Sequence, residues 1–493
     1  MVQSSPVKPF VYVVAAIAAL GGLLFGYDIG GSGGTLIFQG FRRHFGWPDV
    51  QVGIKDSYDV SVQKALISAF FTLGALVGAL PSGALSELFG LKKIIMSNCV
   101  IFTFGTSLQA SAINIYMMCT GRFIGGIGVG ALSALVPTYQ SEIAPEKIRG
   151  VLVTMQQLSI TIGIVLAGAV NLGLRWHDWG WRFSYGGNII FAVIMFVAFI
   201  FMDESPRWLV RNNEYEKARK VFSKIRVKGD IDMELGRIKQ KIESAEKVGS
   251  KSWRDVFSGK NKMRHRLFIG CGGQFLQQLS GINAIMFFAP SIISDFFGQD
   301  ASLYGNLGIQ VANFLATFIC LALIERAGRV TLLLTGAFGM FVSTIVVCIL
   351  SSPLLNYKGN SDVGNGIIAF CVIYVIFFAY SWGPIIWVVC SEIFPSDLRG
   401  KGMGLATATN WLMATLVGVI TPIMIDSKLS LWGTFLFFSV WNLLSIFFAA
   451  VVLPETAGRS LEDMNLVFDN FKAGSNLKKF SFLRSPSKSS PQL

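Results

Sequence analysis

The stretch SEIAPEKIRG at residues 141–150 returns in altered form as SEIFPSDLRG at residues 391–400. Each copy follows the fourth apolar stretch in a series of six, so the chain divides into two related halves. The segments after the sixth and twelfth apolar stretches also correspond, as ESPR at 204–207 and ETAGR at 455–459. A parallel repeat of this kind predicts two bundles of membrane helices with a ligand site between them, near the middle of the bilayer.

The composition is that of a membrane protein. Of the 493 residues, 52% are hydrophobic and 14% are charged, whereas roughly a quarter are charged in ordinary soluble domains. Twelve apolar stretches have the length of about 20 residues that is needed to cross a bilayer. They lie near residues 10–36, 63–85, 93–111, 115–136, 151–173, 184–202, 266–294, 303–324, 330–351, 365–390, 401–424 and 431–453. We therefore predict an all-α membrane protein with twelve transmembrane helices in two six-helix repeats.

Polar segments set the predicted domains and their sidedness. A Lys- and Glu-rich segment at 204–263 separates an N-terminal six-helix bundle (1–203) from a C-terminal one (264–453), and a polar tail follows at 454–493. The middle segment has the helix formers and mixed charges of soluble helices. Because basic loops stay in the cytoplasm, this segment and both termini are expected there, in a multi-pass protein of the plasma membrane.

Several functional classes find no support in the sequence. The net charge of +13 comes from clusters beside the apolar stretches, without an aromatic and basic reading surface, so no nucleic-acid partner is expected. The seven Cys lie in apolar stretches and form no CxxC pair, so we expect no metal site and no cofactor. With three His and no nucleophile beside a base, an enzyme is not expected.

Ionisable residues inside apolar stretches are costly and mark candidate functional sites, and two of them stand out. Asp28 lies in FGYD in the first stretch, and Arg122 lies in GRF in the fourth. A carboxylate that faces a guanidinium can exchange this partner for a proton, as a proton-coupled carrier requires. A permanent structural ion pair is the alternative interpretation.

Amides and indoles form a second set of candidates. Amide side chains donate and accept hydrogen bonds and so match hydroxyl groups, while indole faces suit the C–H faces of a sugar ring. The set predicts a neutral, polyhydroxylated ligand, although a single Gln in a membrane helix more often bonds a neighbouring helix. Its members are Gln156, Gln157, Gln274, Gln277, Gln278, Asn283, Asn313, Asn410, Trp382, Trp387 and Trp411.

The repeated motif also carries one Glu and one Arg in each copy. These are Glu142 and Arg149 in the first copy and Glu392 and Arg399 in the second. They lie at the predicted cytoplasmic ends of helices, where charges can pair between helices. We predict that they hold a gate shut and release it when the halves move, with ordinary anchoring of the interface as the alternative.

The motifs together resemble the sugar porter family of the major facilitator superfamily. The matching segments are LFGYDIG, GRFIGGIGVG, SEIAPEKIRG, ESPRWLV, QQLSGINAIMFFAP, ERAGR, WGPIIWVVCSEIFP, RGKGMG and PETAGRSLED, in order from about residue 10 to residue 465. LFGYDIGGSGG is most similar to the proton-coupled hexose symporters of fungi, plants and algae. The resemblance implies two six-helix bundles with an intracellular helical domain, working by alternating access.

The resemblance also implies roles for single residues. Asp28 and Arg122 match the proton-coupling pair of the symporters, so the implied partners are a monosaccharide and a proton, in a monomeric functional unit within the lipid bilayer. The implied sugar ligands are Gln157, Gln277, Gln278, Asn283, Asn313, Trp387 and Asn410.

Three departures from the family pattern concern gating. Phe287 stands where the family usually has Tyr near the external gate. In the loop GALSELFGLKK, Glu87 replaces the usual Asp and Leu91 the usual Arg, which predicts a weaker inward gate in the first half. The cysteine pair that pins the external lid of plant relatives is absent.

Two other functions stay open at this point. One is a facilitative carrier of a sugar, or of a polyol such as inositol, in which Asp28 is a passive structural acid. The other is a nutrient-sensing receptor on the same fold.

Overall fold

The computed structural model describes residues 8–36, 38–48, 57–145, 148–225, 231–246, 253–286, 293, 299–353, 361–395, 398–427, 429–459, 464–472 and 474. The first half contains α1 (Phe10–Thr35), α2 (Gln39–His44), α3 (Tyr58–Phe89), α4 (Leu91–Ala110), α5 (Ile115–Ile143), α6 (Arg149–Leu174), α7 (Gly180–Gly186) and α8 (Asn188–Phe201). The middle segment contains α9 (Pro206–Arg211), α10 (Tyr215–Ile225), α11 (Ile231–Glu246) and α12 (Trp253–Val256). The second half contains α13 (Met263–Leu279), α14 (Gln299–Ala327), α15 (Arg329–Leu350), α16 (Ser361–Tyr380), α17 (Trp382–Ile393), α18 (Arg399–Asp426) and α19 (Ser430–Val451), and α20 (Met464–Asn470) follows.

Helices occupy all twelve predicted stretches, so the twelve-helix fold is confirmed. Within the described ranges, ten helical spans are long and apolar enough to cross a membrane. The other two are α4, which carries Lys92 and Lys93 in its first turn, and α13, which has 17 residues before the helix is interrupted. The predicted helices of the middle segment are also present, whereas the proposed domain boundaries remain a prediction. Phe287 and the tail beyond residue 474 lie outside the described residues.

Each half has an apolar core of its own. Leu24, Phe102 and Leu132 are buried in the first, and Leu333 and Tyr374 are buried in the second. The halves meet where α3 packs on α18 and where α6 packs on α14. Two cores joined along two seams leave room for a site between the halves.

The sequence repeat is matched by equivalent contacts in the two halves. Glu204 accepts a hydrogen bond from the Lys92 backbone N–H (3.1 Å) at the start of α4, and Glu455 accepts one from the Arg329 N–H (2.9 Å) at the start of α15. A carboxylate is favourable at both places because a helix N-terminus carries partial positive charge. Burial raises the pKa of the Glu204 carboxyl. Both carboxylates follow the last helix of their half, as the sequence repeat predicts.

Candidate functional site

Asp28 of α1 and Arg122 of α5 form a buried ion pair between two helices of the first half. Arg122 Nη1 lies 2.7 Å from Asp28 Oδ2, and both side chains are 3% exposed. Arg122 Nε also donates to the Ile67 carbonyl (3.1 Å), and its guanidinium lies 4.3 Å from the centre of the Phe71 ring. The two intramembrane charges that the sequence singles out are therefore partners, in a setting where loss of one leaves the other uncompensated.

A break in the seventh membrane helix brings two predicted ligands together. α13 ends at Leu279, Gly281 has φ +97°, and the chain is helical again over residues 282–286. A Cβ at Gly281 would lie 2.7 Å from Phe438 Cγ, so both the backbone conformation and the space require glycine. The turn places Asn283 Nδ2 2.5 Å from Gln278 Oε1.

Asn410 of α18 joins these amides into one network. Its Oδ1 accepts from Gln278 Nε2 (3.0 Å), and its Nδ2 donates to Gln277 Oε1 (2.7 Å) and to Gln274 Oε1 (2.6 Å). Gln277 Nε2 in turn donates to the backbone carbonyls of Trp382 (2.8 Å) and Gly383 (2.9 Å). Four amide side chains predicted from the sequence to form the site, together with Gln274, thus lie in direct contact.

A cavity of about 60 Å³ is lined both by Arg122 of the ion pair and by amides of the network. Its lining comes from both halves and includes Arg122, Gln278, Asn283, Asn410 and Trp411. The cation of the ion pair and the amides of the network therefore face the same space.

Three predicted ligands lie outside this cavity lining and outside the amide network. Gln157 is half-buried on α6, Trp387 is buried on α17, and Asn313 is buried on α14. The Oδ1 of Asn313 and the Oε1 of Gln310, one turn away, are buried and have no hydrogen-bond partner among the described residues. Gln310 lies against Gly168 of α6, so this side chain belongs to the α6–α14 contact between the halves.

The four predicted gating residues lie at one end of the bundle, which we call the repeat end. Arg399 Nη1 lies 3.5 Å from Glu142 Oε1, an ion pair that joins the two halves. Arg149 Nη1 donates across the halves to the Arg459 carbonyl (3.1 Å). Glu392 pairs with Arg329 (3.0 Å) inside the second half. The halves are thus held together at the repeat end in this structure.

Two further contacts at the repeat end escaped the sequence analysis. Lys401 Nζ lies 3.1 Å from Glu87 Oε2, and Glu325 Oε1 accepts from the Gly150 N–H (2.7 Å). Both join the two halves. Both acids lie in loops that the sequence analysis quotes, ELFGLKK and ERAGR, but the sequence could not show that each acid reaches into the other half.

Hydroxyl groups in the cavity lining also escaped the sequence analysis. Thr415 Oγ1 donates to Thr72 Oγ1 of the other half (2.7 Å), and both residues line the cavity. The lining residue Trp411 donates from Nε1 to the hydroxyl of Ser133, which lies outside the lining (3.0 Å). Ser32 and Ser68 are further lining residues. Ser and Thr are common in membrane helices, where their hydroxyls can bond neighbouring helices. Their type alone therefore gave no signal for a site.

Comparison with known proteins places the chain among transporters. A family model described as "Sugar (and other) transporter" matches residues 14–468. The glucose transporter GlcP of Staphylococcus epidermidis is 33% identical over 92% of this chain and 96% of its own length. The H(+)/hexose cotransporter 2 of Parachlorella kessleri is 34% identical over 93% of this chain and 86% of its own.

Among solved structures, the proton:xylose symporter XylE bound to 6-bromo-6-deoxy-D-glucose has a TM-score of 0.83 at 26% identity, covering 93% of this chain and 99% of that one. The inward-open form of XylE from E. coli, with the same identity and coverage, has a TM-score of 0.67. The arrangement of the helices is therefore more similar to the ligand-bound form than to the inward-open form.

Proposed function

Because the chain belongs to the sugar transporter family, we propose that it is a hexose–proton symporter that works by alternating access. One observation carries the proposal: Arg122, the partner of the buried Asp28, lines the same cavity as the amides Gln278, Asn283 and Asn410. When a proton site and a sugar site share a cavity, binding at one can change the affinity of the other through direct contacts.

The sugar part of the proposal rests on the amides. Gln278, Asn283 and Asn410 bond one another at the cavity wall, and a sugar hydroxyl that both donates and accepts can replace any of these bonds without leaving a polar group unpaired. Asn313, Gln157 and Trp387 would complete the site when the cavity widens; the buried Oδ1 of Asn313 has no partner among the described residues and is available to a sugar hydroxyl. Gln277, which accepts a hydrogen bond from Asn410, is the remaining predicted ligand.

The proton part rests on the ion pair. Protonation of Asp28 removes the negative charge that holds Arg122 Nη1 at 2.7 Å. The guanidinium then needs other acceptors, and it already faces the cavity where sugar hydroxyls would lie. In this scheme the proton changes the sugar site, and by the reciprocity of linked equilibria the sugar changes the affinity for the proton.

The repeat end provides the gate. Glu142–Arg399 and Glu87–Lys401 join the halves there, so opening toward that side requires both pairs to separate. We assign the repeat end, both termini and the segment 204–263 to the cytoplasm of a plasma-membrane protein, because the basic residues cluster on that side. One monomer is the functional unit in this scheme, since both halves of the site come from one chain.

The decisive experiment measures D-glucose accumulation in proteoliposomes with an imposed inside-alkaline pH gradient. Wild-type protein is expected to concentrate the sugar above its external level and to take it up faster as external pH falls. Asp28→Asn is expected to bring the accumulation ratio to unity, because an amide of similar shape cannot exchange a proton. Downhill exchange by the variant is expected to persist.

Asp59→Asn is the matched control, since it makes the same chemical change at an exposed position at the start of α3. It should accumulate sugar as the wild type does. If the accumulation ratio of the wild type stays at unity for a panel of monosaccharides, the protein is a facilitative carrier and not a symporter. Equal accumulation by Asp28→Asn and wild type would remove Asp28 from the coupling.

A further inference from the structure

The side chain of Gln310 on α14 lies against the backbone of α6 at Gly168. A Cβ at Gly168 would lie 2.2 Å from Gln310 Oε1 and 3.4 Å from Leu307 Cδ1, so the amide occupies the space that a side chain at position 168 would need. Gln310 is 3% exposed, and it lies in a membrane-spanning helix where the two halves meet. A long polar side chain is therefore packed into the contact between the halves at a place that a glycine leaves open.

The amide of Gln310 does not bond the two helices together. Its Oε1 is buried and has no partner among the described residues, and its Nε2 donates to none of them. Gln109 of α4 provides the contrast, because it is also buried and its Nε2 donates to the Gly121 carbonyl of α5 (3.1 Å). A glutamine that only joins membrane helices is expected to bond as Gln109 does. The hydrogen-bonding groups of Gln310 are instead available to a ligand.

Gln310 belongs to a polar face of α14 that includes the predicted sugar ligand Asn313. Asn306, Gln310 and Asn313 follow one another at spacings of four and three residues, which places them on one side of the helix. The amide oxygens of all three are buried and have no partner in the described part of the chain. Residues three apart on a helix have Cβ atoms about 5–6 Å apart, so Gln310 and Asn313 can bind hydroxyl groups of the same sugar ring.

The position of Gln310 along α14 decides when its amide can reach a ligand. α14 runs toward the repeat end, where Glu325 accepts from the Gly150 N–H (2.7 Å), so Gln310 lies one turn farther from the repeat end than Asn313. Alternating access requires the halves to separate at the end opposite the repeat end. This separation takes the amide of Gln310 away from Gly168 and brings it to the side of the entering sugar.

We propose that Gln310 is a specificity-determining residue of the sugar site: when the α6–α14 contact opens, its amide turns from Gly168 to a hydroxyl group of the sugar, beside the hydroxyl bound by Asn313. The ligand is the monosaccharide of the proposed function, on which this inference rests. An amide donates and accepts, so it matches a hydroxyl group. A sugar that lacks this hydroxyl leaves the amide unpaired and is bound less tightly.

The first test requires no sugar and compares stability. Gln310→Met keeps the length of the side chain and removes its hydrogen-bonding groups, and Gln109→Met makes the same change at the control position. Gln310→Met should melt at or above the wild-type temperature, because an apolar group replaces an unpaired buried polar one, whereas Gln109→Met should melt lower because it loses its bond to Gly121. A Gln310→Met protein that melts as low as Gln109→Met, or does not fold, would make Gln310 a structural residue and overturn the proposal.

The second test measures specificity. Isothermal titration gives the Kd of reconstituted wild-type and variant proteins for D-glucose and for analogues of D-glucose that each lack one hydroxyl group. Gln310→Met is expected to raise the Kd for D-glucose about 10-fold, as the loss of one hydrogen bond does. For the analogue that lacks the hydroxyl bound by Gln310, the wild type and Gln310→Met should have the same Kd, because neither protein can make this bond.

Gln109→Met is the control for specificity as well, since it should change the Kd for D-glucose and for every analogue by the same factor. An unchanged Kd of Gln310→Met for D-glucose, or one factor shared by all analogues, would overturn the proposal and leave the proposed function in place. Wild-type protein that binds no monosaccharide would refute the proposed function itself, and this inference with it.

Discussion

The side chain of Arg122 has three neighbours at once: an acid, a backbone carbonyl and the cavity. Nη1 binds Asp28, Nε binds the Ile67 carbonyl, and the side chain lines the cavity. Removing one member of a buried ion pair costs about 3–5 kcal/mol, because the other charge stays buried. Asn at position 28 keeps an acceptor for the guanidinium, which makes Asp28→Asn a milder and more informative change than removal of Arg122.

Replacing Gln278 with Ala tests the amide site at the level of one residue. The change removes the partner of Asn283 and of Asn410 at the cavity wall, and it should weaken D-glucose binding by roughly 1–3 kcal/mol, the cost of unpaired buried polar groups. Thr421→Val is the control, since the Thr421 hydroxyl bonds the Val417 carbonyl of its own helix (2.7 Å). Titration showing equal Kd for Gln278→Ala and wild type would exclude Gln278 as a ligand.

At the scale of elements, the break in α13 decides how the amides meet. Gly281→Ala introduces a Cβ at φ +97°, 2.7 Å from Phe438 Cγ, and a strained residue of this kind costs about 1–3 kcal/mol. We expect a lower melting temperature of the purified protein and weaker sugar binding, because Asn283 is displaced from Gln278.

Gly308→Ala provides the comparison for this change. Gly308 lies within α14, and a Cβ there would meet no atom within 4 Å. Ala is favoured over Gly in a helix by roughly 0.5–1 kcal/mol, so this variant should melt at or slightly above the wild-type temperature. Similar melting temperatures for Gly281→Ala and wild type would show that the break tolerates a side chain.

At the scale of the whole molecule, the proposed function makes the contacts of the repeat end the gate on the cytoplasmic side. Glu87→Lys faces Lys401 with a like charge and should favour separation of the halves, raising the population of the inward-open state about 10-fold, which corresponds to about 1.4 kcal/mol. Spin-label distances between α9 and α20 measure this population. The double variant Glu87→Lys/Lys401→Glu restores an opposite-charge pair and should return the α9–α20 distance to its wild-type value. An unchanged distance in the single variant would show that other contacts hold the gate.

The sequence predicts the helices better than it predicts their interruptions. The length of the apolar stretches located all twelve. The number of apolar residues does not reveal a local break, however: the predicted stretch 365–390 consists of α16 and α17 with Ser381 between them. The Asp28–Arg122 pair was predictable because intramembrane charges are rare. The cross-half contact of Glu87 with Lys401 was not, because it depends on how two separately predicted bundles are docked.

The pairing of Asp28 with Arg122 has an electrical consequence. The two charges lie 2.7 Å apart and cancel, so the ion pair brings no net charge into the hydrocarbon core. In the proposed function, a proton on Asp28 leaves the positive charge of Arg122 uncompensated, and moving one such charge across the membrane changes the free energy by about 2.3 kcal/mol per 100 mV. The membrane potential is therefore expected to act on the loaded carrier and not on the empty one.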